Sequence, residues 1–347
     1  MTTPEALIIP AGKVDARLAE VLDGYRAEWG KLDPLFGETI DLLATLVLAG
    51  GKRVRPAMAY WGYVGAGGDP SMPEVSNLGA SLELLQAFAL FHDDVMDGSP
   101  TRRGEPTAHV RAMANHEAAG WGGEARRYGE SVAILAGDVS LVLSDVLLAG
   151  ANADVRRLWN ELRIEVNLGQ FLDVVGTARG SVPLATAERI VEYKTARYTI
   201  VRPLQMGAAL TGRNDLEEAL GSIGTPLGVA FQLRDDMLGV FGETERTGKP
   251  VGDDLREGKP TPLLARARDA ASPEQAELLA LAGTDLTNDQ VANMQQVFVD
   301  TGAVAAIEAD ISNLTDQALA AIASTDLAAD AGVQLTELAE FLAARSS

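Results

Sequence analysis

The chain contains no cysteine and only three histidines, at positions 92, 109 and 116. The absence of cysteine excludes disulfides and thiolate chemistry. The scarcity of histidine disfavours a structural zinc site or a Ser/His/Asp triad. A bound metal would therefore be held by oxygen ligands, which magnesium, manganese and calcium prefer. Aromatic residues are also few, at 5% of 347 residues against 47% hydrophobic residues, so we expect a core of Leu, Ala and Val.

Long apolar runs and a basic N-terminal region are missing as well. No early stretch reaches the ~18 consecutive apolar residues that indicate a membrane span. We therefore predict neither a signal peptide nor a stable membrane anchor, and a cytoplasmic location. The net charge of −20 disfavours nucleic acid and anionic membranes as partners.

Lysine is scarce too, with six among the 29 lysines and arginines. Four of the six, Lys52, Lys194, Lys249 and Lys259, fall inside the short motifs described below. The few cations are thus concentrated where an anionic ligand could bind.

Helical periodicity dominates the chain, strand signals are few, and nothing resembles a linker. We predict a single all-α domain over residues 1–347, with residues 1–12 as a flexible N-terminal lead. His109 and His116 are assigned to loops, and Pro56 is expected to open a helix. The other predicted helices span residues 13–29, 36–48, 72–97, 131–148, 154–175, 184–199, 202–210, 261–271, 274–281, 288–300, 303–323 and 326–344.

The most informative stretch runs from Leu82 to Gly104 and reads LELLQAFALFHDDVMDGSPTRRG. It begins as an apolar helix and ends in Asp93, Asp94 and Asp97. On a helix Asp93 and Asp97 lie one turn apart on one face, so their carboxylates repel each other unless a cation lies between them. Because this face continues an apolar one, the acids need partners. Two interpretations remain open, a metal site and a helix cap with a salt-bridge cluster.

A second apolar helix meets paired acids at FQLRDDMLG, which contains Asp235 and Asp236 and precedes TGKPVGDDLREGKPT. Two such helices, about 140 residues apart in the chain, predict two acidic faces on either side of one cavity. Upstream, Lys52, Arg53 and Arg55 gather at a predicted helix N-terminus, where the backbone also favours an anion. A solvated basic turn is the alternative there.

Seven motifs, in this order, resemble those of the trans-isoprenyl diphosphate synthase (polyprenyl synthetase) family, and the resemblance covers nearly the whole chain. They are GGKRVRP ending at Pro56, ELLQ at 83–86, DDVMD with RRG at 93–104, GQFLD at 169–173, YKTA at 193–196, FQLRDD at 231–236, and TGK with EGK at 247–259.

The resemblance implies the isoprenoid-synthase fold, a bundle of roughly a dozen helices around a central cavity. It also implies a magnesium-dependent prenyltransferase with three Mg²⁺ ions per site, for which Mn²⁺ can substitute, and a homodimer. The substrates would be isopentenyl diphosphate and the allylic diphosphates dimethylallyl, geranyl and farnesyl diphosphate.

By resemblance, Asp93, Asp97 and Asp235 hold the metal, and Asp94 belongs to the same catalytic group. The predicted ligands of isopentenyl diphosphate are Lys52, Arg55, Gln86 and Arg103. The residues predicted to bind the allylic diphosphate, or to close over it as a lid, are Arg102, Lys194, Thr195, Gln232, Lys249 and Lys259. Three of them, Arg102, Lys194 and Lys249, are also expected to act in catalysis.

Three further residues near the motifs have other predicted roles. Gln170 and Asp173 would hold metal-bound water or a neighbouring lysine, and His92 is interpreted as a packed residue. The family's second motif is commonly DDxxD, whereas this chain has Gly239 at the last position, which puts a fifth metal-binding carboxylate in doubt.

Product length is expected to depend on Phe88 and Ala89, the fifth and fourth residues before Asp93. An aromatic residue followed by a small one resembles the geranylgeranyl (C20) pattern, and farnesyl (C15) or longer products are the alternatives. An ideal helical wheel places Phe88 about 140° from Asp93, so an ordinary core phenylalanine also remains open.

Two other functions are weighed against this one. A class I terpene cyclase would need no isopentenyl site and would carry a different second motif. A non-catalytic partner subunit would have lost an aspartate-rich motif, whereas here Gly239 is the one departure.

Overall fold

The computed structural model describes residues 3–102, 104–242, 251–328 and 330–344. Helices dominate these residues, which confirms the all-α class. The strands within the described ranges are one antiparallel pair of two residues each, β1 (Thr101–Arg102) and β2 (Glu105–Pro106), in which Arg102 is opposite Glu105. No helix in those ranges is both long enough and apolar enough to cross a membrane.

The chain divides into two compact units. The N-terminal unit comprises Glu5–Tyr60 and Asp69–Asn152. The C-terminal unit comprises Trp61–Gly68 and Ala153–Ser347, together with Met1–Pro4, as far as these residues are described.

The N-terminal unit contains five complete helices and the beginning of a sixth. They are α1 (Glu5–Trp29), α2 (Pro34–Leu48), the first residues of α3 (Val54–Gly65), α4 (Pro73–Met96), α5 (Ala108–Ala118) and α6 (Ala125–Leu147). The core of the unit includes Leu18, Leu43, Leu84 and Phe91. Helix α4 agrees with the predicted helix over residues 72–97 to within one residue at each end.

Two predictions for this unit are wrong. Helix α1 begins at Glu5, although residues 1–12 were expected to be a flexible lead. Ala6, Leu7 and Pro10 are buried, and this packing stabilises a turn that Pro10 would otherwise disfavour. His109 and His116 lie in helix α5 and not in a loop.

The C-terminal unit contains the other helices of the described residues, together with the rest of α3. They are α7 (Ala153–Arg179), α8 (Leu184–Ile190), α9 (Arg202–Leu210), α10 (Glu217–Phe241), α11 (Asp253–Glu257), α12 (Pro262–Ala270), α13 (Pro273–Leu279), α14 (Asn288–Asp300), α15 (Ala303–Ser324) and α16 (Ala331–Ala343). A 3₁₀ turn, Asn214–Leu216, precedes α10. Leu233, Val240, Leu264 and Phe298 lie at the centre of the core of this unit.

Helix starts follow local sequence signals. Asp33 caps α2, accepting hydrogen bonds from the backbone N–H groups of Leu35 and Phe36. Ser272 and Gln275 form a capping box at the start of α13.

A π-helical segment, Val191–Val201, joins α8 to α9. The sequence predicted that the helix would kink or end before Pro203. Instead the backbone continues, and the N–H of Arg202 donates to the carbonyl of Arg197, five residues back. Pro203 lies in the first turn of α9, where its missing N–H costs little. The widened turn contains Lys194 and Thr195, and π segments are often found at functional sites.

Candidate functional site

In the N-terminal unit, the acidic motif lies at the C-terminal end of α4. The backbone N–H of Asp97 donates to the carbonyl of Asp93 at 2.8 Å, so the two residues are one helical turn apart, as predicted. The side chain of Asp93 is 23% exposed, whereas Asp94 is buried.

Arg102 neutralises the buried member of this motif. Its Nε donates to Oδ1 of Asp94 at 2.7 Å, and its guanidinium lies 3.8 Å from Asp93. Burial raises the pKa of Asp94, and the hydrogen bond from Arg102 opposes that rise. Arg102 lies in β1, opposite Glu105, and its side chain contacts the acids at the end of α4. Arg103 lies outside the described residues.

The three basic residues of the GGKRVRP motif do not act as one cluster. The backbone of Arg53 has a φ of 49°, and its side chain is 3% exposed. It donates to Asp15 at 2.8 Å and to the carbonyl of Val47 at 2.7 Å, and it also pairs with Glu83. The prediction that grouped Arg53 with an anion site is therefore wrong. Arg53 instead links the GGKRVRP motif to the ELLQ motif through Glu83. The carboxylates of Asp15 and Glu83 together neutralise its buried guanidinium.

Lys52 is exposed immediately before α3, and Arg55 is half-buried in the first turn of that helix. These two remain the anion-binding candidates of the motif. Gln86 is half-buried on α4.

The two chain-length candidates are half-buried two turns before the end of α4. The ring of Phe88 lies 4.6 Å from that of His92, centroid to centroid. His92 Nε2 is 3.2 Å from the carbonyl oxygen of Ile134 and 3.6 Å from Asp138, both on α6. His92 is thus a packed residue between α4 and α6, as predicted.

In the C-terminal unit, the second acidic pair lies near the end of α10. Asp236 is buried, and its Oδ1 accepts a 2.6 Å hydrogen bond from Nε2 of Gln232. Gln232 accepts in turn from the hydroxyl of Thr195 at 2.6 Å. Burial raises the pKa of Asp236 well above its ordinary value, with the hydrogen bond from Gln232 opposing it. Asp235 is only half-buried.

Lys194, in the π segment, donates to Oδ2 of Asp173 on α7 at 2.5 Å. This confirms the expectation that Asp173 holds a neighbouring lysine. The motif glycine Gly169 has a packing role that sequence reasoning missed. A Cβ there would lie 2.4 Å from the backbone nitrogen of Lys194, so only glycine lets α7 approach the segment this closely.

Lys259 follows α11 and pairs with Asp254 at 2.8 Å and with Glu257 at 2.7 Å. Burial lowers the pKa of Lys259, but these carboxylates outweigh it and raise the pKa well above its ordinary value. Lys249, the other lid candidate, lies outside the described residues.

The two acidic motifs share one local design. In each DD pair the second aspartate, Asp94 or Asp236, is buried and held by a nearby donor, while the first is partly exposed. Among the described residues, no group of three or more acidic or histidine side chains is ready to hold a metal ion. The donors are nevertheless carboxylate oxygens, which suit magnesium, and this ion usually completes its shell with water and phosphate oxygens. The residues therefore fit an ion that binds together with a diphosphate.

Comparison with known proteins tests this interpretation. A sequence model of the polyprenyl synthetase family matches residues 38–300. The chain belongs to the polyprenyl synthetase family. The protein is similar to the geranylgeranyl pyrophosphate synthase of Corynebacterium glutamicum, whose crystal structure contains isoprenyl diphosphate and magnesium. The two are 37% identical, with 99% of each chain covered and a TM-score of 0.91.

The chain is also similar to two other isoprenyl diphosphate synthases. The geranylfarnesyl diphosphate synthase of Aeropyrum pernix is 31% identical over 82% of this chain and 86% of its own. A short chain isoprenyl diphosphate synthase from Methanothermobacter thermautotrophicus is 35% identical over 69% of this chain and 70% of its own. The protein is therefore a prenyltransferase of isoprenoid biosynthesis.

Proposed function

We propose that the protein condenses isopentenyl diphosphate with allylic diphosphates, with magnesium as its cofactor, and that its main product is geranylgeranyl diphosphate. The observation that carries this proposal is the pair of aspartate motifs, each with one partly exposed acid beside a buried, hydrogen-bonded one. The likeness to the Corynebacterium glutamicum enzyme, which binds isoprenyl diphosphate and magnesium, supports it. A single polyprenyl synthetase domain over residues 1–347 is part of the proposal.

The aspartates would bind the metal, and the basic side chains would bind the diphosphate. Asp93, Asp97 and Asp235 would hold the magnesium, for which manganese could substitute. When bound, magnesium would neutralise charge on the leaving diphosphate and assist ionisation of the allylic C–O bond. Arg102, Lys194 and Thr195 would bind the same diphosphate, and Lys249 and Lys259 would close over it.

The salt bridges and hydrogen bonds that these side chains form in the structure support that role. Three of the predicted cations form a salt bridge with a carboxylate: Arg102, Lys194 and Lys259. The position of each positive charge is therefore fixed before a substrate binds. An arriving diphosphate would share cations that are already in position, which lowers the conformational entropy lost on binding. Gln232 would fix the hydroxyl of Thr195 through the hydrogen bond it accepts.

The second substrate would bind through Lys52, Arg55, Gln86 and Arg103. Its double bond would attack C1 of the allylic cation, and a proton would then leave to the departing diphosphate, because no histidine of the chain is positioned as a base. His92, the histidine closest to the motif in sequence, is packed between two helices. An apolar cavity would keep water from the cation.

The product assignment rests on Phe88 and Ala89. Phe88 packs on His92 in α4, so its ring has a fixed neighbour, and replacement by a smaller residue would open space beside it. Relatives that make C20 and C25 products are both similar to this chain, and farnesyl diphosphate remains the shorter alternative.

One assay tests the proposal. Purified protein is incubated with magnesium, labelled isopentenyl diphosphate and the C5, C10 or C15 allylic diphosphate in turn, and the products are separated by chain length. We expect all three to be extended to C20. Cyclic hydrocarbons made from an allylic diphosphate alone would indicate a terpene cyclase, and no product from any of the three would indicate a non-catalytic subunit.

We also propose a homodimer. Helix α6 exposes Leu135, Val142 and Val146, with exposures of 58%, 60% and 47%. On a helical wheel these three lie within about 40° of one another. An apolar stripe of this kind on an acidic chain suits burial against a second copy.

A further inference from the structure

Three residues of α7, spaced four apart, face the π segment: Glu165, Gly169 and Asp173. Residues at this spacing lie on one face of a helix, one turn above another. Gly169 lies against the backbone of Lys194, and Asp173 accepts the hydrogen bond from its side chain. Both belong to the GQFLD motif, whereas Glu165 lies outside all seven motifs.

The carboxylate of Glu165 binds two arginines. Its Oε2 accepts a hydrogen bond from Nε of Arg202 at 2.8 Å, and its Oε1 accepts from Nη2 of the same arginine at 2.6 Å. Oε1 also accepts from Nη1 of Arg197 at 3.0 Å. The side chains of Glu165 and Arg202 are 14% and 9% exposed, so this two-point pair is largely shielded from water. Two parallel bonds to one guanidinium fix its orientation as well as its distance.

The same two arginines close a widened turn of the backbone. The N–H of Arg202 donates to the carbonyl of Arg197, which is the hydrogen bond five residues back that defines a π turn. Such turns are rare, so this one needs support from outside the segment. Because both side chains bind Glu165, one carboxylate holds both ends of that backbone bond.

Helix α10 limits the segment on another side. A Cβ at Gly228 would lie 2.6 Å from Cα of Ala196, so the two backbones are in close contact. One turn further along α10, Gln232 accepts the hydrogen bond from the hydroxyl of Thr195. A change in the hydrogen-bond register of the segment would therefore displace Thr195 relative to α10 and Lys194 relative to α7.

We propose that Glu165 is a positioning residue for the allylic diphosphate. Through Arg197 and Arg202 it holds the π segment in its register, and that register sets the positions of Lys194 and Thr195. The inference rests on the proposed function, in which these two side chains bind the diphosphate. It adds a residue of α7 that the motif pattern does not contain.

Glu165→Gln tests whether this carboxylate holds the segment. The variant keeps the size of the side chain but replaces one acceptor oxygen with a donor, so the two-point pair is lost. Arg202 retains Glu161 at 3.0 Å as a counter-charge, which favours folding of the variant. Hydrogen exchange of the full chain, followed by mass spectrometry, should be at least about tenfold faster in residues 191–201 than in the unmodified chain, because local opening becomes easier.

Steady-state kinetics test whether the register matters for the substrate. In Glu165→Gln we expect KM for farnesyl diphosphate to rise about tenfold, the effect of losing one charge-assisted hydrogen bond. KM for isopentenyl diphosphate should stay unchanged. A purely structural role would reduce the amount of active protein, and hence the apparent kcat, without changing either KM. Arg202→Lys keeps the charge beside Glu165 but cannot form both bonds, so it should show the same selective rise.

Asp310→Asn is the matched control, because it removes the acid of another salt bridge in the same unit, that of Asp310 on α15 with Arg266 on α12 at 2.5 Å. Exchange in residues 191–201 and both KM values should stay as in the unmodified chain. Circular dichroism establishes that each variant is folded, and Arg202→Lys provides an independent test if Glu165→Gln does not fold.

Two results would overturn the role of Glu165. One is equal exchange in residues 191–201 for Glu165→Gln and Asp310→Asn, and the other is an unchanged KM for farnesyl diphosphate in the folded variants. Failure of the proposed function looks different, because the unmodified chain would then extend no allylic diphosphate. The exchange measurement needs no substrate, so it tests the hold of Glu165 on the segment in either case.

Discussion

Nε of Arg102 lies 2.7 Å from Oδ1 of Asp94, so the buried aspartate of the first motif is paired with the arginine that we assign to the allylic diphosphate. The guanidinium has five N–H donors in a planar fork. It can therefore keep its bond to Asp94 and still offer donors to a phosphate. A lysine has one point charge and would have to choose between the two.

The first prediction follows from this geometry. Arg102→Lys should lower kcat/KM for the allylic diphosphate by about 10- to 100-fold, the loss expected for one or two charge-assisted hydrogen bonds. Steady-state kinetics with farnesyl diphosphate measure this change. Arg127→Lys, an exposed change on α6, is the control and should have no effect. Equal kcat/KM values for the two variants would mean that Arg102 does not bind the allylic diphosphate.

The second prediction separates two neighbours in the GGKRVRP motif. Arg53 is buried between Asp15 and Glu83, so Arg53→Gln leaves a buried carboxylate without its partner and should cost about 3–5 kcal/mol in free energy of unfolding. Lys52→Gln should leave the free energy of unfolding unchanged and raise KM for isopentenyl diphosphate. Denaturant unfolding and steady-state kinetics on both variants check the two outcomes. The opposite pattern, with Lys52 needed for stability and Arg53 for binding, would contradict our assignment.

Much of the architecture could be predicted from the sequence because it depends on local signals. The apolar helical period around Leu82 predicts α4 to within one residue at each end. The acids at its end and their spacing follow from that helix. The sequence left open whether Asp173 holds metal-bound water or a neighbouring lysine, and the structure identifies Lys194 as its partner.

What could not be predicted depends on backbone geometry and on contacts distant in sequence. The positive φ of Arg53, which turns its side chain inward, has no signature in a run of basic residues. The π segment arises from hydrogen bonds five residues apart, which a 3.6-residue period does not reveal. The approach of Asp254 to Gly239 joins two helices whose relation only the fold provides.

The third prediction concerns product length. On the role that we propose for Phe88, Phe88→Ala should lengthen the products beyond C20, because it removes the ring that packs on His92 and opens space for a longer chain. Ala89→Phe should shorten them toward C15. Product chromatography measures both shifts. Phe36→Ala, a half-buried aromatic change on α2, is the control. Unchanged chain length with normal turnover in Phe88→Ala would make Phe88 an ordinary packing residue.

The fourth prediction tests the α6 stripe. Val142→Asp places a charge at the centre of the proposed dimer surface and should convert a dimer into monomers, because an unpaired buried carboxylate is costly. Light scattering after size-exclusion chromatography gives the mass directly. Val333→Asp changes another exposed valine, on α16, and should leave the mass unchanged. Identical masses for the two variants would mean that the stripe is not the interface.

We propose that Asp93 and Asp235 both bind the divalent cations that a diphosphate substrate requires. Crystals grown with Mn²⁺ and inorganic pyrophosphate test it directly, because anomalous scattering locates each manganese ion. We expect manganese at coordination distance from a carboxylate oxygen of Asp93 and from one of Asp235, with pyrophosphate among its ligands. Manganese at only one of the two aspartates, or a pyrophosphate bound away from both, would contradict the account.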